Sequence, residues 1–133
     1  MKKAAILGER QAGLVEASDP QPKEDWAVAQ IHAAPMCTES HAFDAGRRSD
    51  ALGHEAAGEV VTVAQSGRVE VGDPVVVQPQ YPCGKCHLCV SAEYIHCENN
   101  HNFEAFTGGQ DGRATMAQYI LKPSWIRDFL QTK

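Results

Sequence analysis

The stretch YPCGKCHLCVSAEYIHC, from Tyr81 to Cys97, holds four of the five cysteines in this chain of 133 residues. The spacing of Cys83, Cys86, Cys89 and Cys97 is C-x2-C-x2-C-x7-C. Short x2 spacings let neighbouring thiolates converge on one ion, and the longer gap lets the chain turn to bring in the fourth, as a closed tetrahedral Zn²⁺ site requires. We therefore expect a structural zinc on these four thiolates, with folding of this segment dependent on the metal.

Two other uses of the four cysteines fit the spacing less well. A bacterial ferredoxin-type cluster also uses C-x2-C-x2-C, but its fourth cysteine comes three residues later and precedes proline. Here the gap is seven residues and Glu98 follows Cys97. Disulfides are disfavoured because the cysteine count is odd and the start, MKKAAILGER, has too short an apolar run for a secretion signal. We expect a cytoplasmic protein with reduced thiols.

Outside this cysteine lobe, about residues 79–112, the chain consists of short apolar runs separated by Gly, Pro and charged turns. The β-branched residues and period-2 patterning predict a mainly β fold with few short helices, a small barrel or sandwich. The predicted strands are 3–7, 13–16, 27–33, 59–64, 74–77 and 116–121. The clearest helical signal is the tail, where Ser124 precedes Trp125, Ile126, Phe129 and Leu130 on one face.

Composition narrows the possible partners. A chain that is 43% hydrophobic and 22% charged is typical of one soluble globular domain, here 1–133. Twelve basic against 17 acidic residues, a net charge of −5, argue against a nucleic-acid or anionic-membrane surface. No apolar run approaches the roughly 18–20 residues that span a bilayer. We expect neither nucleic acid nor membrane as a partner.

Cys37 and His54, outside the lobe, are candidate ligands of a second metal site. A catalytic zinc keeps fewer protein ligands than a structural one, leaving a position for water or substrate, and a thiolate with an imidazole is suitable donor chemistry. Glu55, next to His54, is a candidate carboxylate that orients the site or binds the metal. The alternative is that Cys37 is a buried small apolar residue and His54 a loop residue without a metal.

Together these motifs resemble those of the zinc-dependent medium-chain alcohol dehydrogenases. The cysteine spacing is a feature of that family, and Leu52–Val60 resembles its GHE…G.V segment. Val71–Val75 resembles its VGD.V turn, and Cys37 stands 17 residues before His54, where the family has its first catalytic zinc ligand. The resemblance covers nearly the whole chain in order. It implies the N-terminal GroES-like β-barrel domain, with a catalytic zinc at Cys37, His54 and Glu55.

The segment after Cys37 departs from the family pattern. The family usually reads G-[ST]-D-x-H there, with a hydroxyl two positions on and a histidine five positions on. Here Thr38, Glu39, Ser40 and His41 follow, so Glu39 takes the hydroxyl's position and His41 comes one residue early. Thr38 and Ser40 are candidate relay hydroxyls, and Glu39 and His41 are further candidate catalytic residues; the register leaves the choice open.

The resemblance implies an NAD(P)-dependent dehydrogenase of a small-molecule alcohol or polyol, in which zinc polarises the substrate oxygen for hydride transfer. The family's third zinc ligand and nucleotide-binding domain lie past the position of Lys133, and no G-x-G-x-x-G follows a strand here. We therefore expect the chain alone to be inactive and to hold one zinc firmly, with a weak or empty second site.

Two alternatives to the enzyme remain. The first is a stand-alone zinc module that mediates oligomerisation or partner binding, and a homo-oligomer is our expectation. The second is a redox or metal sensor that acts through Cys37.

Overall fold

Strands account for most of the regular structure in the computed structural model, which describes residues 1–66 and 68–124. A short 3-10 turn, Tyr94–His96, lies in the cysteine lobe. The other elements are β1 Lys2–Gly8, β2 Gln11–Glu16, β3 Trp26–Ala33, α1 Glu39–Asp44, β4 Ala56–Val63, β5 Pro74–Val77, α2 His87–Val90, α3 Phe103–Thr107 and β6 Tyr119–Pro123.

The predicted mainly β fold is confirmed. Each predicted strand corresponds to one of β1 to β6, and the largest displacement is three residues, at the starts of β4 and β6. The expected few short helices are present as α1, α2 and α3. Their positions were not predicted, because none is long enough to show a helical period. The predicted helix after Ser124 lies outside the described residues. Among the residues described, no helix has the length and apolar character needed to cross a membrane.

The strands form two antiparallel sheets. β1 and β2 make a hairpin, and a four-stranded sheet has the order β5-β4-β3-β6. The cysteine lobe is inserted between β5 and β6, so the chain leaves the sheet at one edge and returns at the other. Two isolated β-bridges, Lys3 with Ala117 and Ile6 with Ser49, connect β1 of the hairpin to the loops that precede β6 and β4.

An aromatic cluster around Trp26 joins the four-stranded sheet to the cysteine lobe. Trp26 begins β3 and is 1% exposed. Its ring centroid lies 5.6 Å from that of Tyr81, 4.4 Å from Phe106 and 6.1 Å from Phe103, all three contributed by the lobe. Aromatic pairs at such distances add about 0.5–1.5 kcal/mol each beyond the burial of their area. The lobe therefore has an apolar base, although its outer part has little core.

Lys122, on β6, fixes the chain where it enters the lobe. Its Nζ donates to the carbonyl oxygens of Gln78, Pro79 and Gln80 at 2.7, 3.3 and 3.2 Å, and lies 3.5 Å from the centroid of the Tyr81 ring. Burial lowers the pKa of Lys122 to about 7, while the carbonyl oxygens and the ring face favour the ammonium form. All three ammonium hydrogens thus have an acceptor in the segment that precedes Tyr81.

A second internal cation, Lys3 on β1, lies between two loops. Its Nζ is 2.9 Å from Asp50 Oδ2 and 2.9 Å from Asp111 Oδ1. Asp111 also accepts a hydrogen bond from Ser18 N at 3.0 Å through its other oxygen. The hydrogen bond from Lys3 lowers the pKa of Asp111, and it outweighs the burial that would raise it. The network connects the hairpin to the loop before β4 and to the end of the lobe.

Replacing Trp26 with alanine should destabilise the chain by about 3–5 kcal/mol, because a large buried ring is lost together with its aromatic partners. Chemical denaturation followed by circular dichroism measures this. Leu14→Ala, at a β2 side chain that is 70% exposed, is the control and should change the free energy of unfolding by less than about 0.5 kcal/mol. Equal effects for the two variants would contradict the assignment of Trp26 to the core.

Asp111→Asn should destabilise the fold at neutral pH by removing one carboxylate from Lys3. Because the pKa of Asp111 is lower in the folded state, its contribution is present above the ordinary value of 3.8 and is lost as the pH falls through the folded-state value. The difference in unfolding free energy between wild type and Asp111→Asn should therefore shrink in acid. Urea melts at a series of pH values measure it, with the exposed Asp25→Asn as control. A difference that stays constant with pH would contradict the network.

Candidate metal centres

The four lobe cysteines converge on one point. Their sulfur atoms all lie within 4.8 Å of one another, with Sγ–Sγ distances of 3.5 Å for Cys86–Cys89 and 3.9 Å for both Cys83–Cys89 and Cys86–Cys97. A tetrahedral site with Zn–S bonds of about 2.3 Å has sulfurs about 3.8 Å apart. A disulfide needs about 2.05 Å, so all four are free thiols. The donor set and spacing fit zinc.

The local sequence makes this convergence possible. Gly84 has a positive φ of 74°, a conformation that glycine adopts without strain, and the chain turns there between the first two cysteines. Backbone N–H groups point at the sulfurs: Cys86 N donates to Cys83 Sγ at 3.4 Å, and Cys83 N donates to Cys97 Sγ at 3.3 Å. Cys89 lies in α2 and Cys97 follows the 3-10 turn, so a helical bend before each brings it back.

The lobe thiols differ in how easily they ionise. A hydrogen bond from the backbone N–H of Lys85 lowers the pKa of Cys83 to about 6, whereas burial raises the pKa of Cys89 to about 12. Four thiolates within van der Waals reach repel one another, and burial adds to that cost. A divalent cation offsets both effects, because a coordinated thiol is deprotonated outright. The cluster is therefore suited to hold a divalent metal ion.

A carboxylate connects the two predicted ligands of the second site. Glu39, the first residue of α1, accepts a hydrogen bond from Cys37 N at 2.8 Å through Oε2 and from Gly53 N at 3.1 Å through Oε1. The same Oε1 lies 3.5 Å from His54 Nδ1. The side chain of Glu39 is only 11% exposed. The structure thus brings the loop of Cys37 and the loop of His54 together on one buried carboxylate.

This environment keeps Glu39 ionised. Burial would raise the pKa of Glu39, but hydrogen bonds from the backbone N–H groups of Cys37, Glu39 and Gly53, together with His54, lower it below its ordinary value. With Nδ1 of His54 directed at Glu39, the other ring nitrogen, Nε2, is left for a ligand. The His54 side chain is 39% exposed, so a ligand has access from solvent. A carboxylate behind a histidine is the usual support for a metal-bound imidazole.

Gly53 is required at the start of the GHE segment by close packing. Its φ is +82°, and a Cβ there would lie 2.5 Å from Thr115 Oγ1 and 2.9 Å from Met116 N. The approach is close because Thr115 N donates to Gly53 O at 3.3 Å and Met116 N donates to Leu52 O at 2.9 Å. Any side chain at this position would push the loop, and His54 with it, away from Glu39.

The other predicted catalytic residues lie nearby on the chain but are not gathered with these ligands. Glu55 and His41 are exposed, His41 on α1. Ser40 Oγ donates to Cys37 O at 3.4 Å, and Thr38 is exposed at the start of α1. Within residues 1–66 and 68–124, the lobe cysteines form the one group of three or more His, Cys, Asp or Glu with ligand atoms this close together.

Sequence reasoning missed the bridging role of Glu39. It placed Glu39 at the position of a relay hydroxyl, but the carboxylate is engaged with the backbone of both loops. The available signal was an acidic residue two positions after Cys37. In the structure this residue begins α1, and its carboxylate reaches Gly53 N. That signal is weak without the pairing of Gly53 with Thr115, which joins residues 62 positions apart.

Comparison with known proteins places this geometry in a family context. Residues 23–127 match the family described as the alcohol dehydrogenase GroES-like domain. An L-threonine 3-dehydrogenase of Pyrococcus furiosus is 34% identical over 122 residues, which are 85% of this chain and 34% of that protein. An uncharacterized zinc-type alcohol dehydrogenase-like protein of Escherichia coli is 33% identical over 120 residues, 83% of this chain and 34% of that protein.

Solved structures show the same fold. The alcohol dehydrogenase TADH from Thermus sp. ATN1 superposes with a TM-score of 0.68 at 22% identity, covering 93% of this chain and 37% of that one. The chain therefore spans about a third of the length of the curated relatives it matches.

Cys86→Ser should lose the lobe zinc and lower the melting temperature sharply, because three thiolates cannot close the site and metal binding contributes to folding. Elemental analysis and thermal melts measure the two effects. Cys37→Ser is the matched control, since it makes the same change at an exposed cysteine outside the lobe and should keep one zinc per chain. Retention of zinc by Cys86→Ser and its loss from Cys37→Ser would reverse the assignment of the two sites.

Proposed function

Because this chain belongs to the alcohol dehydrogenase GroES-like domain family, the N-terminal domain of zinc-dependent medium-chain alcohol dehydrogenases, we propose that it is the zinc-binding catalytic part of an NAD(P)-dependent dehydrogenase of small-molecule alcohols or polyols. The observation that carries the proposal is the Glu39 carboxylate, which holds Cys37 and the loop of His54 together. The four-thiolate lobe in the same chain supports it as the structural zinc site.

The two candidate metal sites have different ligands, and the ligands suit them to different roles. Four thiolates fill the coordination sphere of a divalent ion and leave it with an excess of negative charge, which suits a structural role. Cys37 and His54 supply one thiolate and one neutral imidazole, so a site built on them keeps positive charge and open positions. Such a site accepts an anionic oxygen. When bound there, zinc acts as a Lewis acid on the substrate oxygen while the nicotinamide accepts the hydride.

Each residue of the second site has a proposed role. Cys37 Sγ and His54 Nε2 are the ligands, and Glu39 orients His54 through Nδ1 and fixes the backbone on both sides. Glu55, which follows His54 in the sequence and is exposed, is the carboxylate we propose to adjust the coordination. Because Glu39 already accepts from Cys37 N and Gly53 N, it is a positioning residue rather than a base.

The substrate hydroxyl must also lose a proton. Among the four residues after Cys37, Thr38 and His41 are exposed, whereas the Ser40 hydroxyl donates to Cys37 O. A hydroxyl and an imidazole within reach of solvent can pass a proton outward, since each can both accept and donate a proton. We assign proton transfer to Thr38 and His41 on that ground.

Hydride transfer needs the nicotinamide held against the substrate carbon, with reacting atoms about 3–3.5 Å apart. Residues 1–133 contain no G-x-G-x-x-G loop to bind such a cofactor. We therefore expect the purified 133-residue chain to form no NAD(P)H from alcohols, and its proposed activity to be that of a whole enzyme in the cytoplasm.

A row of exposed apolar side chains on the four-stranded sheet favours a second candidate function, protein–protein contact. Ala33, Ala57 and Val76 pair across β3, β4 and β5 and are all exposed, and Met36, just before Cys37, is 71% exposed. This apolar row beside the second site is suited to contact another protein surface. The alternative is a non-catalytic zinc module that forms homo-oligomers or binds a partner there. A monomer at high concentration in sedimentation equilibrium argues against it.

Cobalt(II) titration of the chain, with zinc already in the lobe, tests the second site. We expect one further, weaker cobalt whose visible spectrum shows a thiolate charge-transfer band, because Cys37 is a ligand. Cys37→Ser should remove that band, and His54→Ala should weaken binding by about tenfold or more. His32→Ala, at an exposed histidine of β3, is the control and should bind cobalt as wild type does.

Two results would contradict the proposed function. One is a second cobalt whose thiolate charge-transfer band is missing, or persists in Cys37→Ser, because Cys37 would then not be a ligand. The other is an equal loss of binding in His32→Ala and His54→Ala, which would make the effect nonspecific.

A further inference from the structure

The ammonium group of Lys3 contacts both the loop that leads into His54 and the end of the cysteine lobe. Lys3 is 7% exposed, although lysine is rarely buried without partners. Its two carboxylate partners come from different segments. Asp50 belongs to the loop that leads into His54, and Asp111 to the segment that closes the cysteine lobe before β6. No other ion pair described in residues 1–66 and 68–124 connects these two segments.

The loop before His54 is attached to β1 at its beginning. Ile6 N donates to Ser49 O at 2.8 Å, and Ser49 N donates back to Ile6 O at 3.2 Å. Lys3, on the same strand, bonds the next residue, Asp50, through its side chain. The first part of the loop therefore rests on β1 through one backbone pair and one ion pair.

The end of the same loop is attached to β1 through a third segment. Met116 N donates to Leu52 O at 2.9 Å, and Ala4 N donates to Met116 O at 2.8 Å. Residues 49–53 thus form an arch attached to β1 at both ends, directly at Ser49 and through Met116 at Leu52. Lys3 is the side chain of β1 that reaches the arch by a charged contact, so it opposes movement of the arch away from Glu39.

Charge explains why a lysine is needed at this point. Asp50 and Asp111 both approach the Lys3 Nζ to 2.9 Å, so without the cation two carboxylates would face each other with no positive charge between them. Their repulsion would be relieved most easily by moving Asp50, which is 62% exposed, into solvent. The arch, and the amide of Gly53 within it, would then withdraw from Glu39 Oε1.

We infer that Lys3 is a positioning residue for His54, holding the arch of residues 49–53 against Glu39 and tying it to the end of the cysteine lobe at Asp111. For its catalytic meaning the inference rests on the proposed function, since it assumes that His54 binds a metal. Its structural content does not depend on that assumption.

Amide hydrogen exchange measured by NMR on the zinc-loaded chain tests the structural part. In Lys3→Met, which keeps the length and apolar stem of the side chain, the Gly53 amide should exchange about tenfold faster or more. Amides in the β3–β4 pairing should keep their wild-type rates. Lys3→Arg should restore Gly53 to within about threefold of wild type, because it keeps the charge. Lys2→Met, at the exposed neighbouring lysine, is the matched control and should have no effect.

Cobalt titration of the same variants tests the functional part. Lys3→Met should weaken the second cobalt site by about fivefold or more, as loss of an outer support does for other metal sites. Its lobe, loaded separately with cobalt, should keep the tetrathiolate spectrum of the wild type. If Lys3 only stabilised the fold, Lys3→Met would not selectively accelerate exchange at the Gly53 amide. It would also not weaken cobalt binding at the second site alone.

Asp50→Asn and Asp111→Asn each remove one of the two ion pairs of Lys3, so they test the two contacts separately. They also serve as the test if Lys3→Met does not fold. Asp50→Asn should reproduce the faster exchange at Gly53, and Asp111→Asn should have the smaller effect there. The inference is overturned if Gly53 exchange is unchanged in Lys3→Met, if all amides accelerate together, or if Asp111→Asn alone reproduces the effect. A second cobalt site that keeps its thiolate band in Cys37→Ser would contradict the proposed function, while the exchange data would still decide the role of Lys3.

Discussion

Four sulfur atoms within 4.8 Å of one another set the constraint on which the rest of this molecule depends. Such a cluster is unfavourable for thiolates alone, because their charges repel and two of the cysteines are buried. It becomes favourable around a divalent ion, so coordination would order the outer part of the lobe in place of an apolar core. Residues 83–97 could therefore keep a definite shape even though large apolar side chains such as Val90 and Ile95 are exposed.

The lobe is useful to the fold because its base is joined to the sheet by ordinary packing and by a cation. Tyr81 stacks on Trp26 of β3, and Lys122 of β6 binds three carbonyl oxygens just before Tyr81. The cysteine lobe and the apolar sheet are thus joined through these residues. A disturbance of the coordination would reach the sheet through these contacts, and the sheet in turn limits how far the lobe can move.

The second site follows a different physical logic. One thiolate and one imidazole leave an ion with positive charge and open positions, and their geometry is held from outside the donor set. Glu39 binds both loops, Gly53 permits the close approach to Thr115 and Met116, and Lys3 braces the arch from β1. The supports of this site come from four separate segments of the chain, whereas the lobe ligands come from one.

That difference explains which features the sequence could predict and which depend on tertiary contacts. The sequence by itself determined which cysteines cluster, because a C-x2-C-x2-C-x7-C spacing brings the four sulfurs together through local turns. It also determined the strands, because alternation and β-branched residues are local too. The short helices and the role of Glu39 were decided only by tertiary structure. Glu39 meets Gly53 because Gly53 pairs with Thr115 and Met116 with Ala4, contacts between residues 62 and 112 positions apart that no local pattern encodes.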